Sequence, residues 1–117
     1  MKKRLLELLE NAYAPYSHYP VAAIVVMYDG RTFEGVNVEN ASYGATICAE
    51  RNAITSAITA GYTKEDFREL YVMTKGEKPA FPCFLCRQVL AEFFHKDSKL
   101  VIMNEEREEH YFMSDIL

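Results

Sequence analysis

LYVMTKGEKPAFPCFLCRQVLAEFFHKDSKLVIM, residues 70–103, places a β-type run at each end of a helical segment. LYVMT at 70–74 predicts a strand, KGEKPAFP at 75–82 a loop, CRQVLAEFFH from Cys86 a helix, and KLVIM at 99–103 another strand. Strand, helix and strand in that order predict a parallel pair joined by a crossover, the unit of a layered α/β fold.

The segments upstream extend the same pattern. VAAIVVMY at 21–28 is a β-type run closed by the tight-turn pair Asp29–Gly30, and RTFEGV at 31–36 returns as the second arm of a hairpin. From Cys48, AERNAITSAITAG predicts a helix stopped at Gly61. Residues 2–12 carry Leu5, Leu6, Leu8, Leu9 and Ala12 at helical spacing, ahead of Pro15. NVENASYGAT at 37–46 has turn residues and little periodicity, so a surface loop is expected. The last few residues are expected to begin a final helix. A hairpin followed by βαβαβ argues for a mixed sheet with helices on both faces.

Composition narrows the class of protein. The chain has 117 residues, half of them hydrophobic, so one compact domain over 1–117 is expected, with a core that needs no disulfide staples. Net charge is −4, and the run NEEREEH at 104–110 reads as a solvated surface. Such a balance disfavours nucleic acid as a partner. No apolar run approaches the length of a membrane span, and the start MKKRLLELLENAY alternates leucines with glutamates and is unlike a signal peptide. Three cysteines and no export signal point to a reducing cytoplasm. His18, His95 and His110 match no motif and are expected on the surface.

Cys48, Cys83 and Cys86 all fall where a loop enters a predicted helix. Helix starts offer unsatisfied N–H groups and the positive end of the dipole, which favour thiolate. Helices of an open α/β sheet begin at the C-terminal ends of strands, so three thiolates from two neighbouring helix starts can meet on one zinc ion. Three protein ligands leave a fourth position for water, as in catalytic zinc sites. Other readings stay open at this point: a buried structural thiol at Cys48, and a redox pair or a structural zinc module at Cys83 and Cys86. Glu50, two residues after Cys48, is either a first-turn acid complementing the dipole or a carboxylate set to move protons beside a zinc-bound water.

The pattern C48-A-E50…P82-C83-F-L-C86 resembles the signature of zinc deaminases in its all-cysteine form. The wider chain is similar to one family, the small, three-cysteine cytidine deaminases. AYAPYSHYPVAA at 12–23 resembles the family's A-Y-x-P-Y-S-x-F-P-V-G-A, and GVNVENASYG at 35–44 its G-x-N-x-E-N-A-S-Y-G. CAERNAI at 48–54 and PCFLCRQVLAEF at 82–93 resemble C-A-E-R-x-A-I and P-C-G-x-C-R-Q-V-x-x-E-F.

The resemblance implies a three-layer α/β/α fold with a mixed five-stranded sheet and a zinc-dependent hydrolysis of cytidine and 2′-deoxycytidine for pyrimidine salvage. One zinc per subunit would be held by Cys48, Cys83 and Cys86, bringing a bound water toward ionisation for attack on C4 of the cytosine ring. Glu50 would take the water proton, deliver it to N3, and then help protonate the leaving amine as ammonia. Three thiolates and a divalent zinc leave one surplus negative charge, which Arg51 would offset, with Arg87 and Gln88 in support. Asn37 and Glu39 would hold a ribose hydroxyl, which donates to one and accepts from the other; the alternative is turn chemistry, with Asn37 and Asn40 satisfying the loop backbone. Tyr19 would pack on the base, Ala49 would line the substrate site, and Tyr43 would reach a neighbouring subunit of a homotetramer. Cysteine at position 48 is similar to the tetrameric class; the dimeric class has histidine there.

Three departures bear on substrate. Ala22 stands where the family has glycine, Phe84 and Leu85 replace a small pair between the cysteines, and SDIL ends the chain where the family runs on to a terminal aromatic. Ala22 is expected close to the pocket wall, and Phe84 with Leu85 is expected either to reshape the base pocket or to pack against an altered neighbour. The alternative is therefore a related enzyme acting on a modified cytosine nucleoside or base analogue. A deaminase of single-stranded nucleic acid would need a basic, aromatic-lined groove that an acidic chain does not supply.

Overall fold

The computed structural model describes residues 1–77 and 79–117, without the side chain of Phe84; Lys78, in the expected loop, lies outside the described residues. The chain runs α1 (Lys2–Leu9), β1 (Val21–Met27), β2 (Thr32–Val36), α2 (Ala49–Thr59), β3 (Phe67–Thr74), α3 (Phe84–Phe93), β4 (Lys99–Met103) and β5 (Glu108–Phe112). The strands form one mixed sheet in the order β2-β1-β3-β4-β5. β3 and β4 are the parallel pair predicted from residues 70–103, and the other neighbours are antiparallel.

Period-two alternation divides the apolar strand residues between two helical layers. Ala22, Ile24, Met73, Val101 and Met103 pack against Leu5, Leu8 and Leu9 of α1. Ala23, Val25, Leu70, Val72, Leu100 and Ile102 face the opposite way, onto Ala53, Ile54 and Ala57 of α2 and Leu90 of α3. The result is the expected three-layer α/β/α arrangement, with α2 and α3 side by side on one face.

The acidic run lies at the surface as expected, and the expected final helix is corrected. The acidic run is a turn followed by β5, and only one short turn of 3₁₀ helix follows, at Met113–Asp115. Exposure alternates along β5, with Glu109 and Tyr111 half-buried between exposed Glu108, His110 and Phe112. Tyr111 packs against the α2/α3 core, while the charges lie on an edge strand, where they discourage pairing with another chain. The open edge of β4 decides this structure, and the local charge pattern carries no trace of that edge.

Helix boundaries also shift for local reasons. α1 ends at Leu9, short of the predicted residue 12, and the chain turns through Glu10 and Asn11. α3 begins at Phe84, with Cys83 as its N-cap, earlier than the predicted Cys86. α2 is stopped as predicted, with Gly61 in the left-handed region at φ +104°.

Gly35 sets how closely α2 lies on the sheet. A Cβ at this position would stand 2.4 Å from the Ala49 carbonyl oxygen and 2.5 Å from the Ala53 nitrogen, both backbone atoms. Neither can yield without moving the helix whose first turn carries Cys48 and Glu50. Gly35→Ala is expected to cost roughly 1–3 kcal/mol, a fall in Tm of about 5–10 °C by thermal denaturation. An unchanged Tm would show that α2 is free to shift.

Candidate active site

The starts of α2 and α3 bring the three cysteines together. Cys48 caps α2, Cys83 caps α3, and Cys86 lies in the first turn of α3, where its N–H points at the Cys83 sulfur (3.5 Å). All three sulfurs lie within 4.8 Å of one another, and those of Cys48 and Cys83 are 3.8 Å apart. Two sulfurs bound tetrahedrally to one zinc at about 2.3 Å would be about 3.8 Å apart, whereas a disulfide requires about 2.0 Å. The trio therefore fits a metal and not a disulfide. Cys86 is buried, Cys48 half-buried and Cys83 exposed, so the cluster opens on one side.

Protons among these sulfurs are unequally held. The Cys86 thiol donates to Cys48 and, against the opposing effect of burial, lowers the Cys48 thiol to about 5, with Arg51 assisting. The same contact and burial push Cys86 upward. One thiolate is thus ready, and a bound cation would draw off the remaining protons. Arg51 Nη2 donates to Cys48 Sγ (3.5 Å) and to the Thr46 carbonyl (3.1 Å), while its buried Nε has no partner among the described residues.

Glu50, two residues after Cys48, is 5% exposed. Burial raises its carboxyl to about 7, and the Cys48 charge adds to that. A cation on the sulfurs would act in the opposite direction. Glu50 lines a cavity of roughly 430 Å³ together with Cys48, Cys83 and Ala49 at one end and Asn37, Glu39 and Ser17 at the other. Tyr19, Val21, Val72 and Phe81 supply apolar walls, a size and character suited to a small molecule with a few polar groups.

At the polar end, Asn37 is partly engaged by the loop itself. Its Nδ2 donates to the Tyr19 carbonyl and its Oδ1 accepts from the Val21 N–H, both at 2.9 Å. Glu39 accepts from the Tyr16 and Ser17 N–H groups (3.1 Å each) and from the Ser17 hydroxyl, which holds its carboxyl below the usual range. This bonding bends the segment so that His18 adopts φ +56°. The turn chemistry expected of these residues is therefore present. One amide hydrogen of Asn37 and one carboxylate lone pair of Glu39 remain for a ligand.

The other predicted residues fall farther out. Tyr43 is 89% exposed and lines a shallow depression beside Tyr16, outside the main cavity. Arg87 Nε donates to the Pro82 carbonyl (3.0 Å), bracing the turn that precedes Cys83. Gln88 is exposed on the outer side of α3, beside Ile116 and Leu117.

The pocket reading is corrected for Ala22 and, of the two readings held for it, for Leu85. Ala22 is fully buried on the α1 face, because strand alternation turns it away and gives the wall to Val21. Leu85 is 58% exposed and does not line the cavity; the side chain of Phe84 lies outside the described residues. Phe81 takes the place expected of Leu85, packed at 5.0 Å on the Tyr111 ring of β5. Sequence reasoning missed Phe81, Ser17, Val72 and Thr74. A signal existed for the last two: they share a parity on β3 and sit toward its C-terminal end, where α/β sites form.

The zinc-binding region model of cytidine and deoxycytidylate deaminases matches residues 1–104. The cytidine deaminase of Mycoplasma genitalium is 39% identical over 115 residues, 98% of this chain and 87% of that protein. That of Halalkalibacterium halodurans is 41% identical over 102 residues, 87% and 76% of the two chains. The crystal structure of cytidine deaminase from Burkholderia pseudomallei superposes with a TM-score of 0.92 at 40% identity, covering 98% of this chain and 91% of that one. The mixed five-stranded sheet with a three-sulfur centre is the architecture of a zinc aminohydrolase. This chain belongs to the cytidine and deoxycytidylate deaminase family.

Removing one sulfur should unload the centre: Cys83→Ala is expected to lower bound zinc from one per chain to below roughly a tenth, by elemental analysis. Arg51→Gln keeps all three ligands but loses the guanidinium, and zinc affinity should fall about 10–100-fold in competition with a chromogenic chelator. Equal affinities would remove Arg51 from the metal's support.

Proposed function

We propose that this chain is a zinc-dependent cytidine deaminase, converting cytidine and 2′-deoxycytidine to uridine and 2′-deoxyuridine with release of ammonia. Residues 1–117 act as one catalytic domain. The observation that carries the proposal is the buried carboxyl of Glu50 in the same cavity as three converging sulfurs. A structural zinc or redox module has no use for such a carboxyl lining a nucleoside-sized cavity.

Cys48, Cys83 and Cys86 hold the zinc. Bound there, zinc supplies a water already brought toward ionisation near neutral pH. Glu50 takes one proton of the attacking water and delivers it to N3 as C4 becomes tetrahedral; it then takes the second proton from the new hydroxyl on C4 and passes it to the amine, which leaves as ammonia while C4 becomes a carbonyl. The surrounding apolar wall of Val72, Ala49 and Phe81 excludes other water, so the proton stays with the reacting pair. Asn37 and Glu39 bind a ribose hydroxyl through the hydrogen and lone pair they have left. Tyr19 closes over the base, and Arg51 offsets the surplus negative charge of three thiolates on a divalent ion.

The chain works as a cytoplasmic homotetramer in pyrimidine salvage. An almost fully exposed Tyr43, in a loop outside its own cavity, supports this assembly, since it is free to complete a neighbour's site. Light scattering is expected to give four times the 13.5 kDa chain mass. A monomer with full activity would remove Tyr43 from the site.

Glu50→Gln tests the chemistry directly. It keeps the shape and zinc content but cannot carry the proton, so ammonia release from cytidine should fall by at least about 10²–10⁴-fold. Undiminished turnover in a zinc-loaded variant would eliminate the proton shuttle.

A further inference from the structure

Thr74, the last residue of β3, is 1% exposed, and its hydroxyl oxygen is buried without a hydrogen-bond partner among the described residues. Unpaired buried hydroxyls are destabilising, and native structures keep few of them. Thr74 also lines the cavity that holds Glu50 and Cys48. Its direction follows from strand alternation: Val72 faces α2 and α3, and Thr74, two residues on, faces the same way.

A row across the sheet relates Thr74 to the proposed sugar end. Asn37 donates its N–H to the Val21 carbonyl (3.1 Å), and Val21 pairs with Thr74 in the β1–β3 register. Adjacent strands are about 4.8 Å apart, so Asn37 and Thr74 stand about 10 Å apart on one level. With ribose over Asn37, a nucleoside laid along this row carries its base over Val21 toward Thr74. Val21, Val72 and Tyr19 present only apolar surface to that base, apart from the Tyr19 hydroxyl.

We infer that the Thr74 hydroxyl is a substrate-binding group, hydrogen-bonded in the complex to the polar edge of the pyrimidine, directly or through one ordered water. A hydroxyl both donates and accepts, so it serves the amino form of the substrate and the carbonyl form of the product alike. The assignment rests on the deaminase reading. It gives Thr74 a binding role separate from proton transfer at Glu50 and from the metal ligands.

Thr74→Val removes the hydroxyl and keeps the shape; Thr74→Ser keeps the hydroxyl and removes a methyl group. For the valine variant, the Kd of uridine by calorimetry and the KM for cytidine should rise together by roughly three- to tenfold, with kcat and zinc content little changed. Its Tm without nucleoside should be no lower than wild type, because an unpaired buried hydroxyl has gone. The serine variant should stay within about twofold of wild type on both constants. Valine constants equal to wild type, or serine weakened as much as valine, would overturn the assignment while leaving wild-type deamination intact. A wild-type protein that neither binds uridine nor releases ammonia from cytidine would overturn it together with the deaminase reading.

Discussion

Two helix starts, 35 residues apart in the chain, meet through the sulfurs of Cys48 and Cys83 at 3.8 Å. Most of what defines the site follows from holding that junction closed. α2 reaches it only because Gly35 lets the helix backbone lie against β2, and α3 reaches it through the parallel crossover between β3 and β4. Thiols at such a distance repel once ionised, so a cation between them lets all three give up their protons at once. The metal centre and the packing of two helices on the sheet are in this sense one constraint.

The site is made of groups that a stability optimum would avoid. Among the described residues, Glu50 is a carboxyl in an apolar setting, Thr74 a hydroxyl without a partner, and Arg51 a guanidinium with one buried N–H unused. Each is destabilising while nothing is bound. The core beneath offsets this with dense aliphatic packing on both faces of the sheet. An unpaired hydroxyl and a buried carboxyl lining the same cavity form the pattern expected where ligand binding completes the hydrogen bonding.

The opposite end of the cavity is built by loops that satisfy one another. Glu39 ties down residues 16 and 17, Asn37 ties the Tyr19 carbonyl to the start of β1, and Asn40 accepts the Ser42 N–H. The bonds that order the loop also fix the direction in which the remaining amide hydrogen and carboxylate lone pair point. Turn chemistry and sugar binding, which the sequence poses as alternatives for Asn37, are compatible in the same side chain.

Residues 70–103 disclosed the parallel unit because hydrophobic runs and breaks are local properties, readable along the chain. The same holds for the hairpin at Asp29–Gly30, the stop at Gly61, and the cysteine and glutamate pattern, whose chemistry depends on residue type. Other features depend on neighbours remote in sequence. β5 is a strand because β4 has an open edge, Ala22 faces α1 because the register of β1 turns it there, and Phe81 replaces Leu85 in the wall because α3 begins earlier than expected. Thr74 is an ordinary strand residue by sequence. By itself the sequence determined the layered fold and marked the three cysteines and Glu50 as candidates, since hydrophobic spacing and residue chemistry are local properties. Only the tertiary structure decided which polar groups end without partners around the cavity, because burial and hydrogen bonding are relations among elements that meet in space.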